Sequence, residues 1–107
     1  MAVRTVVAIL KWLAPDEGGR AIPPTGPTFA TVSEFEGQEG LPDGAWSLVV
    51  TFLERPDASR SHRVEVSFLA GEDAPQHWLT NGRSFKLFEG PRVVAKGTVT
   101  SDNDSRA

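Results

Sequence analysis

Ten glycines and eight prolines punctuate this chain of 107 residues at short intervals, and that spacing favours many short strands and turns over long helices. The apolar residues between the breaks recur with a period of two. In the sharpest case Val64, Val66 and Phe68 alternate with Arg63, Glu65 and Ser67. On a strand, successive side chains point to opposite faces, so the first set turns inward and the second outward. Trp46, Leu48, Val50 and Phe52 alternate in the same way with Ser47, Val49 and Thr51. Thr28 to Phe35 places Phe29, Thr31, Ser33 and Phe35 on one face. Phe85 and Leu87 alternate with Ser84, Lys86 and Phe88, and Val93 to Thr100 reads as a final strand with Gly97 at a bulge or a close contact. The opening stretch, Val3 to Leu13, has Lys11 as its only charge after Arg4 and is apolar on both faces, which reads as a strand buried on two sides or pairing inside a barrel.

The intervening segments carry turn chemistry. Three prolines and a glycine within Ile22-Pro23-Pro24-Thr25-Gly26-Pro27 exclude helix and central strand there. Residues 36–44 are a polar turn region, and residues 55–61 form a loop. Gly71 to Trp78 is irregular with one short helical turn after Pro75. Asn81-Gly82 and Gly90-Pro91 mark tight turns. The reading is a single all-β domain over residues 1–100, a six-stranded antiparallel closed β-barrel, followed by a polar, disordered tail over 101–107. Closure removes the exposed edges that strands this apolar would otherwise offer for aggregation.

Composition bounds the function. An apolar share of 39% supplies one core, and no run of 18 apolar residues is present to span a membrane. Lys11 interrupts the first apolar stretch and no small-residue cleavage site follows, so it reads as a strand rather than a signal peptide. The chain has no cysteine, which excludes disulfides and thiol chemistry and fits a cytoplasmic protein. The net charge of −3 lies mostly in residues 1–44, whereas residues 45–101 are slightly basic. A broad electrostatic grip on nucleic acid is excluded, and any RNA contact is local.

Two separated motifs stand out. Asp16-Glu17-Gly18-Gly19-Arg20 follows the first strand and leads into the proline-rich loop. Asn81-Gly82-Arg83-Ser84-Phe85 runs on to Glu89-Gly90 and then Val94, Gly97 and Val99. Together, over roughly residues 3–100, they resemble the third domain of elongation factor Tu, and the strand from Arg63 sits at the matching place between them. The resemblance implies a stand-alone homologue of that β-barrel, a surface for RNA or translation partners, and specific roles. Arg20 matches the arginine that contacts the T-stem backbone of tRNA, and Glu89 matches a glutamate in the same contact region. The loop of residues 21–28 is shorter than the family's and lacks its charged and aromatic residues.

The chemistry-bearing residues each have two readings. The Arg20 guanidinium either takes a phosphate bidentately or pairs with Asp16 or Glu17 to hold the loop. Gly18 and Gly19 either offer amide groups to an anion or only make a turn. Glu34, Glu36, Glu39 and Asp43 form an acidic patch, either a surface for a basic partner or a solvated turn. Trp46 fits the core; Trp12 and Trp78 pack in the core or anchor a partner. His62 reads as exposed at a strand start and His77 as a loop residue, and neither has metal-ligand spacing. Lys96-Gly97-Thr98 has the wrong order for a phosphate loop, and no serine sits in a nucleophile motif.

The expectation is a non-catalytic binding module, with no cofactor, metal, nucleotide or membrane partner. Its contact residues are Arg20, Gly18, Gly19, Thr28, Glu89, Arg92 and Lys86. The partner is either a structured RNA or a protein, the latter in the manner of a mimic, decoy or immunity-type partner.

Overall fold

In a computed structural model, which describes residues 4–24, 26–38 and 45–101, the chain forms a closed barrel of six antiparallel strands. The strands are β1 (Val6–Trp12), β2 (Thr28–Phe35), β3 (Ala45–Phe52), β4 (Ser61–Phe68), β5 (Ser84–Glu89) and β6 (Arg92–Ser101). Around the barrel they run β1-β4-β3-β2-β5-β6, and β6 pairs with β1 to close the ring. Short 3-10 turns at Pro15–Glu17, Gly71–Asp73 and Gln76–Trp78 interrupt the loops, the last at the helical turn expected after Pro75. Among the described residues no helix is long and apolar enough to cross a membrane. The expected tail lies outside the described residues except for Ser101, which belongs to β6 opposite Val7. Glu39 and Asp43, half of the expected acidic patch, also lie outside them.

The alternation read from β2, β3 and β4 places the residues as expected. Phe35, Leu48, Val50, Val64, Val66 and Phe68 are buried in the barrel. Of the two readings of β1, pairing inside the barrel is the one found: Val6, Ala8, Leu10 and Trp12 point in, while Ile9 and Lys11 are exposed, because a barrel gives every strand one wet face. Two details differ. His62 is buried rather than exposed, since β4 already begins at Ser61 and the inward phase of Val64, Val66 and Phe68 extends back to position 62. The strand expected over Arg63 to Leu69 ends at Phe68, and Leu69 is exposed.

Aromatic clusters fill both ends. At one end Phe35 packs against Phe68, Trp78 and Phe85, with Trp46 on Phe68. The 71–79 segment plugs this end with Ala74, Trp78 and Leu79. Gln76 fixes the plug: its side-chain amide donates to Gly71 O at 2.7 Å, and its carbonyl accepts from Arg4 N at 2.8 Å. At the other end Trp12 meets Phe29 and Phe52 edge to face. Trp12 Nε1 donates to His62 Nε2 at 3.0 Å, and His62 Nδ1 lies 2.8 Å from Glu54 O. An indole N–H only donates and a carbonyl only accepts, so the imidazole carries its proton on Nδ1.

Gly97 marks a close contact rather than a bulge; the irregularities fall at Val7/Ala8 and Leu87/Phe88. A Cβ on Gly97 would stand 2.4 Å from Phe85 Cζ. Gly97→Ala is expected to cost about 2 kcal/mol of stability by overpacking. Phe85→Leu removes the clashing ring, so the double variant should be clearly more stable than the sum of the two single losses. Additive losses in urea melts would show that the ring is not what Gly97 accommodates.

Candidate functional site

The Trp12 end of the barrel collects most of the residues singled out from sequence. Pro15 and the bonds Glu17 N to Ala14 O and Gly18 N to Pro15 O shape a tight turn after β1. Glu17 reaches back to accept from Ala14 N at 2.8 Å. Gly18 adopts φ 92°, open to glycine at no steric cost, and its amide is spent on Pro15 O at 3.0 Å. Gly19 N donates to Ala14 O at 2.9 Å. Both amides therefore close the loop and neither is presented to an anion. Of the two glycines only Gly18 takes positive φ. Gly19 is glycine for a different reason, since a Cβ there would stand 2.1 Å from Leu13 O.

Arg20 pairs with neither Asp16 nor Glu17. Its Nη1 donates to Glu89 Oε2 at the end of β5, on the far side of the sequence. Arg92 Nη2 approaches the other carboxylate oxygen at 3.7 Å. Arg20 also donates from Nε to Ile22 O at 3.1 Å, and its guanidinium carbon lies 5.9 Å from the centroid of the Phe29 ring. Thus Arg20, Glu89 and Arg92 form one cluster, with Gly18 and Gly19 in the loop that delivers Arg20. Thr28 is exposed beside Phe29 at the start of β2. Lys86 is not in this cluster; it sits on the outer face of β5, paired in register with Glu34 and Lys96. The Arg20–Glu89 side chains are about one-third exposed (32% each), so the pair contributes on the order of 1 kcal/mol and chiefly sets geometry.

A second arginine, in the loop between β3 and β4, organises the same end. Arg60 donates from Nε to Trp12 O at 3.1 Å and from Nη2 to Leu13 O at 3.0 Å and Arg20 O at 2.6 Å. Nη1 lies 3.4 Å from Ala21 O. Its backbone, at φ 69°, accepts from Trp12 N and donates to Asp57 O. One side chain thereby satisfies the carbonyls of the segment that leaves β1 and begins the proline loop. The only sequence signal is Asp57-Ala58-Ser59-Arg60, a turn whose aspartate can bond to backbone ahead of it. Asp57 does so, accepting from Ser59 N at 2.9 Å, Ser59 Oγ at 2.6 Å and Ser61 N at 3.1 Å. The Ser59 hydroxyl, then the Ser61 amide, hold the Asp57 carboxyl below the usual carboxylate range. Because the folded value is the lower one, this carboxylate favours the folded turn at neutral pH, and its contribution fades as pH falls through the lowered value.

Between the two tethered loops lies an open groove of about 610 Å³, lined by Ile22, Pro23, Pro24, Gly26 and Pro27 on one side and residues 52–57 with Arg60 on the other. Ile22 is 69% exposed and Leu53 41%, so two large aliphatic side chains border it in water. Phe52, packed on Trp12, joins the groove to the core. The sequence pointed to the 21–28 loop as a contact segment, but the opposing wall from β3 and the loop after it was not foreseen.

Among the described residues no group of three or more His, Asp or Glu side chains is placed to hold a metal ion. Comparison with protein-family models and with curated proteins finds no match to this chain.

Proposed function

We propose that this chain is a non-catalytic binding module that docks a protein partner in the groove between residues 22–27 and 52–60. The observation that carries this reading is the groove itself, with Ile22 and Leu53 exposed on a frame of four prolines. Soluble domains seldom leave contiguous apolar surface uncovered unless it binds something. Prolines fix backbone φ, and the Arg60 tethers hold the loop, so little conformational entropy remains to be lost on docking. Aliphatic walls with few free polar groups suit an apolar protein segment better than a phosphate backbone.

The resemblance to the third domain of elongation factor Tu favours a second reading, an RNA- or translation-linked surface around Arg20, Glu89 and Arg92. One observation supports it: Arg20 and the exposed Arg92 stand together at the same barrel end. Against it, the Arg20 guanidinium is engaged by Glu89 and the Gly18 and Gly19 amides are engaged within their loop. A cytoplasmic setting, expected from the cysteine-free composition, belongs to the same proposal.

The test is capture of partners by the purified chain, with and without RNase. A protein partner that survives RNase, is lost with Ile22→Asp or Leu53→Asp and is retained with Arg20→Ala is the expected result. Each aspartate places a charge in the apolar contact and should weaken binding at least tenfold. Bound material that disappears with RNase and with Arg20→Ala, and weakens steeply with salt, would overturn the groove reading in favour of RNA.

A further inference from the structure

Three lysines stand side by side on the outer wall of the barrel. Lys11 on β1 is the register partner of Lys96 on β6, and Lys96 is the register partner of Lys86 on β5. All three occupy outward positions of their strands. Like charges directly opposite one another on neighbouring strands repel and weaken the sheet. Among the described residues none of the three ammonium groups makes an ion pair or hydrogen bond. Acidic residues are more numerous than basic ones in this chain, so a row of three cations is not a by-product of composition.

The row is short. Strands lie about 4.8 Å apart, so its Cα atoms span about 10 Å. Carboxylates bound it at both ends: Glu34 faces Lys86 on β2, and Ser61, which faces Lys11 on β4, is tied to Asp57. Beside Lys86 and Lys96 a small cleft of about 340 Å³ adds the Ser84 and Thr98 hydroxyls, along with Glu36. A nucleic-acid strand running across this wall would pass from three lysines onto carboxylates. Two carboxylates on a short stretch of polypeptide would not, because same-face side chains of an extended segment repeat about every 7 Å, within the length of the row.

We propose that the Lys11–Lys96–Lys86 row docks a short acidic segment of a partner protein. This surface is separate from the groove, and the inference stands whether or not the groove binds.

The test uses the whole chain, a hexaglutamate peptide and an oligouridylate of equal charge, with amide chemical shifts as the readout at low and moderate salt. The peptide is expected to shift the amides of residues 11, 86, 96 and 98. The Lys11→Gln/Lys86→Gln/Lys96→Gln variant should weaken its binding at least tenfold. Binding within twofold of the parent by that variant would overturn the proposal. So would oligouridylate binding ten times tighter than the peptide through the same lysines, which would assign the row to nucleic acid. Stability gives a readout independent of any ligand. Lys96 is the middle charge, so Lys96→Gln should raise Tm by about 2–4 °C at low salt, and half a molar salt should erase the gain. A fall in Tm at low salt would remove the repulsion on which the inference rests.

Discussion

Replacing Arg60 by alanine should cost about 3 kcal/mol of unfolding free energy, the largest loss expected from any polar side chain in this barrel. The guanidinium is the shared donor for Trp12 O, Leu13 O and Arg20 O. Hydrogen bonds from a charged donor contribute roughly 1.5–3 kcal/mol each where water is excluded. Arg60 is partly exposed, so the sum is discounted rather than multiplied by three. Lysine should not rescue, because a single ammonium on a flexible stem cannot span carbonyls that a planar fork reaches together. Glycine offers an internal control. The Arg60 backbone at φ 69° suits glycine better than alanine, so Arg60→Gly should be more stable than Arg60→Ala by about 0.5–1 kcal/mol. Urea denaturation of the three variants measures all of this. A loss below about 1 kcal/mol for alanine would mean that water replaces the guanidinium at these carbonyls without penalty. The same variant should release one wall of the groove and weaken any partner that docks there.

Gly19→Ala should be comparably severe, about 3 kcal/mol or more, for a purely steric reason. The new Cβ would stand 2.1 Å from Leu13 O, 2.5 Å from Leu13 C and 2.7 Å from Leu13 Cβ. Two of these are backbone atoms, so no rotamer change relieves the overlap. Leu13 would have to move, and the hydrogen bond its N–H donates to Val94 O at 2.9 Å would stretch with it. Gly18→Ala is the natural comparison. That Cβ meets nothing within 4 Å, and the cost is only the left-handed backbone, about 1 kcal/mol. Hydrogen exchange of the Leu13 amide, together with thermal melts, separates the two variants. Equal losses would show that the loop moves aside cheaply and that Gly19 is not a packing requirement.

These two positions also show what the sequence makes legible. The Gly18-Gly19 pair announces a sharp turn, because few other dipeptides tolerate one. Nothing local says that one glycine serves backbone conformation and the other a close approach, since the approach is to a residue placed by the strand before it. The barrel itself was legible, because alternation in β2, β3 and β4 is a local property that the closed sheet preserves. The one-sided burial of β1 was not, because Val7 and Ile9 are apolar on the wet face and hide the period. The inward phase of Val64, Val66 and Phe68 already includes position 62; His62 reads as exposed only if the strand is taken to begin there, and pairing from Ser61 carries that phase through the ring. At the candidate site the resemblance already sets Arg20 and Glu89 in one contact region, yet the ion pair that joins them across 69 positions needed the fold. Arg60 carried no pattern beyond the turn that begins at Asp57: its side-chain partners are main-chain carbonyls, which every residue has. The lysine row escaped for a related reason. Positions 11, 86 and 96 become neighbours only once the register of β1, β6 and β5 is known.

Closure of the ring by its first and last strands has a mechanical consequence. β1 and β6 share one antiparallel seam, and the start of β1 lies beside the end of β6, with Val7 opposite Ser101. Tension applied through those two ends pulls on the nearest rung first. The ladder then opens one hydrogen bond at a time, as a zipper does, instead of resisting as a loaded row. The seam is therefore the barrel's weak line under load. Opening it uncovers Ala8 and Val99 before it disturbs the aromatic floor at Trp12, where the tethered loops and the groove sit. The end that carries the groove is thus the last part of this seam to feel a pull on the chain.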